Sequence, residues 1–239
     1  MKFWSRSWNP IVGCARDDCR ANCWAERFAH RMAHNPTTAA RYRGVVTSAG
    51  KWTGLISVCR RTMDAPHHWK APQIVAVSWM GDMFSRNVPR GDIRTVQAVM
   101  HDCAHHTFLV LTKKVDRLHT IDGWPDNCFV GVSVCDQQDA DARIPVLLDT
   151  PAAHRWVIIE PMLGPVLIGG HMAAAARNGT PIEAVVVGAE TGHGACPCDP
   201  EMIRSIVRQC RAAGVHVWTK AGLAEDDPCF ERRLPWATT

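Results

Sequence analysis

A chain of 239 residues with 46% apolar side chains and a net charge of +4 is long enough for one domain with a large core. Its eleven cysteines would indicate a disulfide framework only in an exported protein, and the opening MKFWSRSWNPIVGC lacks the apolar stretch of a signal peptide, so a reducing, cytoplasmic setting is expected. The most apolar segment, Trp156 to Ala176, is broken by Glu160, Pro161, Pro165 and His171, which excludes a bilayer span and a membrane partner.

The N-terminal quarter is basic: residues 1–61 carry eleven Lys or Arg against three acids. That asymmetry points to an anionic partner such as nucleic acid, met through Arg41, Arg43, Lys51, Arg60 or Arg61, or else to an Arg-rich solvated surface. Strands are expected near Trp8–Val12, where Pro10 interrupts, and near Leu55–Cys59, then at Ile74–Trp79, Thr107–Thr112, Cys128–Val134, Arg155–Glu160, Glu183–Gly188 and Val215–Thr219. Nearly continuous apolar strands of this kind suit a parallel sheet covered on both faces. Between them, Ile93, Val96, Met100 and Cys103 recur at helical spacing, and Asp199 with Pro200 reads as a helix start that Gly214 ends. The pattern predicts an α/β fold, a full or partial parallel (β/α) barrel, formed as a single domain over 1–239 with an irregular or mobile insertion at 34–54.

Parallel α/β folds place their sites at the carboxyl ends of the strands. Polar residues stand there repeatedly: Ser78 and Asp82, Thr112 and Lys113, Ser133 and Asp136, Glu160, Glu190, then Thr219 and Lys220. Asp82 and Asp136 are the best candidates for simple helix caps, whereas Lys113, Glu160 and Glu190 are candidates for lining a ligand site.

Cys14, Cys19 and Cys23 lie within ten residues, between the first expected strand and a helix starting near Asn22. Thiolates are soft ligands for iron–sulfur clusters or zinc, and structural zinc ordinarily takes four protein ligands. A cubane cluster held by three thiolates instead leaves one iron open, and Arg16 and Arg20 would offset the anionic sulfurs. A zinc site completed by a distant Cys or His, and three ordinary buried cysteines, are the alternatives. Cys59, Cys103, Cys128, Cys135 and Cys210 read as core residues. Cys196 and Cys198, separated only by Pro197, form a loop pair that could bind metal or be redox active.

Several segments together resemble a known family. Trp8-Asn9-Pro10, Gly13-Cys14, Asn22-Cys23-Trp24-Ala25-Glu26, Trp69-Lys70-x-Pro72 and Ser78-Trp79-Met80-Gly81-Asp82-Met83-Phe84 carry the likeness in the first half. Leu111-Thr112-Lys113, Gly131-Val132-Ser133-Val134, Arg143-Ile144-Pro145, Glu160-Pro161-Met162-Leu163-Gly164-Pro165 and Gly188-Ala189-Glu190-Thr191-Gly192 continue it. These are similar to the phage Gp37/Gp68-like, three-Cys-motif (DUF5131) proteins, which in turn are similar to radical S-adenosylmethionine (SAM) enzymes. The resemblance implies a radical SAM-type barrel, a [4Fe-4S] cluster on Cys14, Cys19 and Cys23, SAM on the open iron, and an external electron donor. Ser78, Asp82 and Ser133 are the residues expected to hold SAM. The spacing here is C-x4-C-x3-C instead of the usual C-x3-C-x2-C, and Trp24 stands where tyrosine is common.

The same likeness implies a phage-type substrate: DNA carrying an amino-acid-modified thymine, isomerised from an N-linked to a C-linked glycyl adduct in the host cytoplasm. Two other classes remain open from the residues. One is a non-enzymatic iron–sulfur or zinc protein that acts as a nucleic-acid-binding partner. The other is an ordinary barrel enzyme using Lys113 or Lys220 with Glu160 or Glu190 for acid–base chemistry.

Overall fold

The structure is a computed structural model, and it describes residues 2–15 and 23–236. Strand and helix alternate from Ile74 onward, and the described chain divides into two compact units. One comprises Trp4–Arg117 with Gly123–Cys128, and the other runs from Phe129 onward and includes Phe3 and residues 118–122. No helix among the described residues is long and apolar enough to cross a membrane.

In the first unit β1 (Arg6–Trp8), β4 (Ile74–Val77) and β5 (Thr107–Thr112) pair in parallel, with Trp8 opposite Val77 and Val77 opposite Val110. The strand expected over Trp8–Val12 is two strands, because Pro10 lacks the N–H that would continue the ladder. β2 (Ile11–Val12) turns away and pairs antiparallel with β3 (Ser57–Val58), and the Pro10 carbonyl accepts from Cys59 N–H at 2.7 Å. Helix α1 (Trp24–His34) has Cys23 as its N-cap residue, and a short α2 (Ala39–Tyr42) follows. Tyr42, Val45, Val46 and Trp52, inside the segment expected to be irregular, are buried against Ala25 and Ala29 of α1. α3 (Arg90–Asp102) turns Ile93, Val96 and Met100 into the core, the face that their spacing predicts.

The second unit winds in chain order: β6 (Cys128–Val134), α4 (Gln137–Asp149), β7 (His154–Ile159), α5 (Gly169–Arg177), β8 (Ile182–Val187), α6 (Pro200–Ala213) and β9 (His216–Thr219). β6 to β9 pair as successive parallel neighbours. Every residue of β6 is buried, as a strand covered on both faces requires. Strand order does not reverse within either unit, unlike a doubly wound sheet at its switch point.

Helix α6 follows its sequence signals closely. The Asp199 carboxylate accepts from Glu201 N–H at 2.9 Å, Pro200 occupies the first turn, and Gly214 closes the helix at φ +68°. Ile203, Ile206, Val207 and Cys210 form its buried face. Each of the three aliphatic side chains contributes about 2 kcal/mol by leaving water. On β7, the fully buried Trp156 indole lies over Gly131 of β6 and donates to the Phe129 carbonyl at 3.1 Å. A Cβ at Gly131 would meet that indole at 2.4 Å, so the glycine of the Gly131-Val132-Ser133-Val134 segment is the space the tryptophan fills.

His106 shows how a buried polar side chain secures the start of β4. Its Nδ1 accepts from Gln73 N–H at 3.2 Å, which leaves Nε2–H to donate to the Pro66 carbonyl at 3.1 Å, so the ring is neutral. Burial lowers its pKa, and the charges of His105 and Arg6 act in the same direction. Below the ordinary imidazole value of about 6.5 the unfolded chain takes a proton that the native ring resists, so stability present above that pH is lost as pH falls. Urea denaturation midpoints should therefore decline between about pH 7.5 and 5, and the decline should be shallower in His106→Gln. Equal slopes in the two proteins would remove His106 from that role.

Candidate functional site

The segments after β1 and β4 run side by side at the carboxyl ends of those strands. Ser78 N–H donates to the Trp8 carbonyl at 2.8 Å, and Met80 N–H donates to Asn9 Oδ1 at 3.0 Å. Gly13 N–H donates to the Met80 carbonyl at 3.1 Å, and Ala15 N–H donates to the buried Ser85 hydroxyl at 3.0 Å. At the closest point Gly13 and Gly81 form a parallel bridge, and a Cβ on Gly81 would sit 2.2 Å from the Gly13 oxygen. Gly13 itself adopts φ +99°, where side chains are strained. Cys14 is thus delivered to the strand ends by backbone contacts on both sides.

Cys14 is buried and Cys23 partly buried, and both pack against one apolar cluster that includes Val12, Ala25, Ala29, Tyr42, Val46, Trp52 and Met80. Cys19 lies outside the described residues. Among the described residues no three His, Cys, Asp or Glu side chains converge as a metal site. Helix α1 is held over the cluster by Glu26, whose buried carboxylate accepts from Trp52 N–H at 2.7 Å and pairs with Lys51 at 3.2 Å. That brace was not anticipated from the sequence, although an acid in the first turn of a helix is the signal that could have flagged it.

Of the residues expected to hold SAM, Ser78 is the most telling. It is 2% exposed, it is the one non-glycine residue with positive φ (+55°) among those described, and its hydroxyl has no hydrogen-bond partner there. Holding such a residue in the left-handed region costs about 1 kcal/mol, and a buried orphan hydroxyl adds to that cost. Both are features of sites shaped for a ligand. The group implied by the sequence therefore finds a compatible donor set: two placed thiols with apolar shielding and, at a neighbouring strand end, an unpaired hydroxyl.

Asp82 is a different kind of residue from the helix cap that its position suggested. The next helix, α3, begins only at Arg90, and the Asp82 carboxylate crosses instead to β5. One oxygen accepts from Phe84 N–H at 2.9 Å, the other from Lys113 N–H at 3.0 Å, and the Thr112 hydroxyl lies 2.8 Å from both. Burial pushes its carboxyl pKa up against the pull of those donors. Asp136 does cap, accepting from Asp139 N–H at 3.0 Å at the start of α4.

Ser133 belongs to the second unit, buried on β6, where its carbonyl accepts from Arg143 at 2.6 Å. Arg143 also pairs with Asp139 at 2.7 Å, and Asp139 accepts from Cys135 N–H, so α4 braces the end of β6. Also in that unit, Lys220 Nζ lies 2.6 and 2.7 Å from the two Glu160 oxygens, and Glu190 accepts from Cys196 N–H at 2.8 Å. Lys113, in the first unit, contributes its backbone N–H to Asp82. Cys103, Cys128, Cys135 and Cys210 are buried as expected, and burial raises the Cys210 thiol to about 12. Cys59, expected in the core, is only partly buried, and its thiol is held below the ordinary range by Thr62 and Arg41 even though burial opposes this.

Because both Asp82 oxygens accept backbone N–H groups, an amide at this position would aim its own N–H at a donor. Asp82→Asn should lose about 1–3 kcal/mol of stability in urea denaturation, and Asp82→Ala at least as much. An Asp82→Asn chain as stable as the parent would show that the bridge between the ends of β4 and β5 does not depend on the carboxylate.

No curated protein and no solved structure matches the chain. One family model does, over residues 1–227: the chain belongs to the family described as protein of unknown function, DUF5131.

Proposed function

We propose that this protein is a radical SAM enzyme built on a (β/α) barrel wall, with Cys14, Cys19 and Cys23 as the ligands of a [4Fe-4S] cluster. The observation that carries the reading is the strapping of the Cys14 loop onto the carboxyl end of β4, where Ser78 holds an unpaired, buried hydroxyl at φ +55°. The unidirectional strand order within each unit supports the barrel, which needs successive strands to add on one side. A [4Fe-4S] cluster held by Cys14, Cys19 and Cys23 would supply one-electron reduction of SAM, the chemistry that yields methionine and a 5′-deoxyadenosyl radical.

The chain's own residues then have four tasks. The thiols of Cys14, Cys19 and Cys23 bind the metal, and the apolar cluster beneath Cys14 excludes water from the sulfurs. Ser78 offers a hydrogen bond to the SAM methionyl group, and Asp82 acts as a positioning residue by fixing the ends of β4 and β5.

The substrate proposed is a glycyl-modified thymine in DNA, because hydrogen abstraction at a glycyl Cα gives a stabilised radical that can migrate from an N-linked to a C-linked position. The basic N-terminal region supports a nucleic-acid partner in part. Lys51 and Arg60 are paired with Glu26 and Asp92, and Arg41 donates to Thr62, whereas Arg43 and Arg61 are exposed.

Two experiments test the reading. Anaerobic reconstitution with iron and sulfide, then SAM and dithionite, should release 5′-deoxyadenosine, and release should vanish in Cys14→Ala, Cys19→Ala and Cys23→Ala. A stable cluster without SAM cleavage would favour a non-enzymatic nucleic-acid-binding protein, and absence of any cluster would remove the proposal. Duplex DNA affinity should fall roughly tenfold between about 50 and 200 mM salt if two phosphates are contacted. An affinity indifferent to salt would remove DNA as the substrate.

A further inference from the structure

The loop between β8 and α6 carries a cysteine pair that the cluster chemistry does not use. We propose that Cys196 and Cys198 form a redox-active dithiol that reacts with a disulfide arriving from solvent, with Cys196 as the attacking thiol and Cys198 as the resolving one. Cys196 is the only exposed cysteine among those described, and Cys198 is partly buried. An exposed thiol is the kind that an incoming disulfide can reach.

The backbone holds the pair in a defined place. The Glu190 carboxylate, from the loop after β8, accepts Cys196 N–H at 2.8 Å, and Ala195 N–H closes a turn onto the Gly192 carbonyl at 3.2 Å. On the other side Asp199 caps α6, and the Cys198 thiol lies 3.7 Å from the Asp199 carbonyl. Residues two apart in an extended segment have Cα atoms within about 7 Å, a separation that reaches disulfide range. The residues of this loop are all described, and Glu190, His193, Cys196, Cys198 and Asp199 do not assemble into a three-ligand metal group. A dithiol therefore fits the arrangement better than a chelate.

The exchange balances without any further reactant. Cys196 Sγ, deprotonated, attacks one sulfur of the incoming disulfide, forms a mixed disulfide and expels the other sulfur as a thiolate. Cys198 Sγ gives up its proton and attacks Cys196 Sγ, closing the Cys196–Cys198 disulfide and expelling the second thiolate. The chain loses two electrons and two protons, and the incoming disulfide leaves as two thiols. Burial, with the adjacent Asp199, raises the Cys198 pKa, which disfavours its thiolate.

The inference is independent of the radical SAM reading, and its readout needs no activity. Tryptic cleavage after Arg177 and Arg204 isolates a peptide whose only cysteines are Cys196 and Cys198. The full chain would be equilibrated anaerobically with glutathione buffers of increasing oxidised fraction, or with an oxidised thioredoxin, then alkylated and digested. This peptide should change in one two-electron step from doubly alkylated to unalkylated and lighter by two hydrogens. The faster of the two oxidants identifies the source of the disulfide. Cys198→Ser should accumulate the mixed disulfide on Cys196, and Cys196→Ser should react at least tenfold more slowly. Glutathione on both sulfurs without an internal disulfide, or equal reactivity of the two single variants, would overturn the proposal. So would zinc protection of both thiols with no disulfide at any poise.

Discussion

Two glycines, Gly13 and Gly81, approach until the backbone of one occupies the space of a side chain on the other. The arrangement of the first unit around the cysteines depends on this contact. It brings the segment after β1 against the segment after β4, and from it follow the hydrogen bonds of Met80, Asn9, Ala15 and Ser85 that fix Cys14. Asp82 extends the same construction to β5, so three strand ends are tied by side chains and loops beyond the last ladder bond. Ser78 keeps its strained backbone because its neighbours on both sides are so constrained.

The second unit solves a similar problem by other means. Its strand ends are braced by Arg143 and Asp139 on α4 and by the Glu160–Lys220 pair, while Trp156 fills the volume left by Gly131. Phe3 meets Trp156 and Trp218 edge-on with centroids 6.0 Å away, and Trp236 lies 5.5 Å from Trp156, so aromatic area replaces aliphatic packing there. The two halves thus place polar residues at carboxyl ends with different supports, buried carboxylate in one and ion pairs in the other.

Much of the fold was legible because it rests on local chemistry. Strands β4 to β9 announce themselves as apolar β-branched runs, and α6 carries its cap, its proline and its terminal glycine in plain order. The split at Pro10 was legible as an interruption, but where β2 goes was not, since an antiparallel partner near residue 57 leaves no local mark. Asp82 misled for the same reason: an acid after a strand looks like a cap, and only the fold reveals that Thr112 and Lys113 come to it. Within the candidate site the cysteines were visible by spacing, whereas the Gly13–Gly81 contact and the Glu26 brace join residues too distant in sequence to be paired by pattern.

Glu26 carries one consequence beyond packing. With its carboxylate buried and engaged by Trp52 N–H, helix α1 cannot slip by a turn without stranding a charge in the interior, so the position of its N-cap, Cys23, is set by the fold. Cys14 is set independently by the glycine contact. Cys14 and Cys23 therefore meet the same apolar cluster through supports that do not depend on each other. For the cluster proposed above, the ordering of these two ligands would be a cost already met on folding, so its tightness would depend on the helix brace as well as on the thiols.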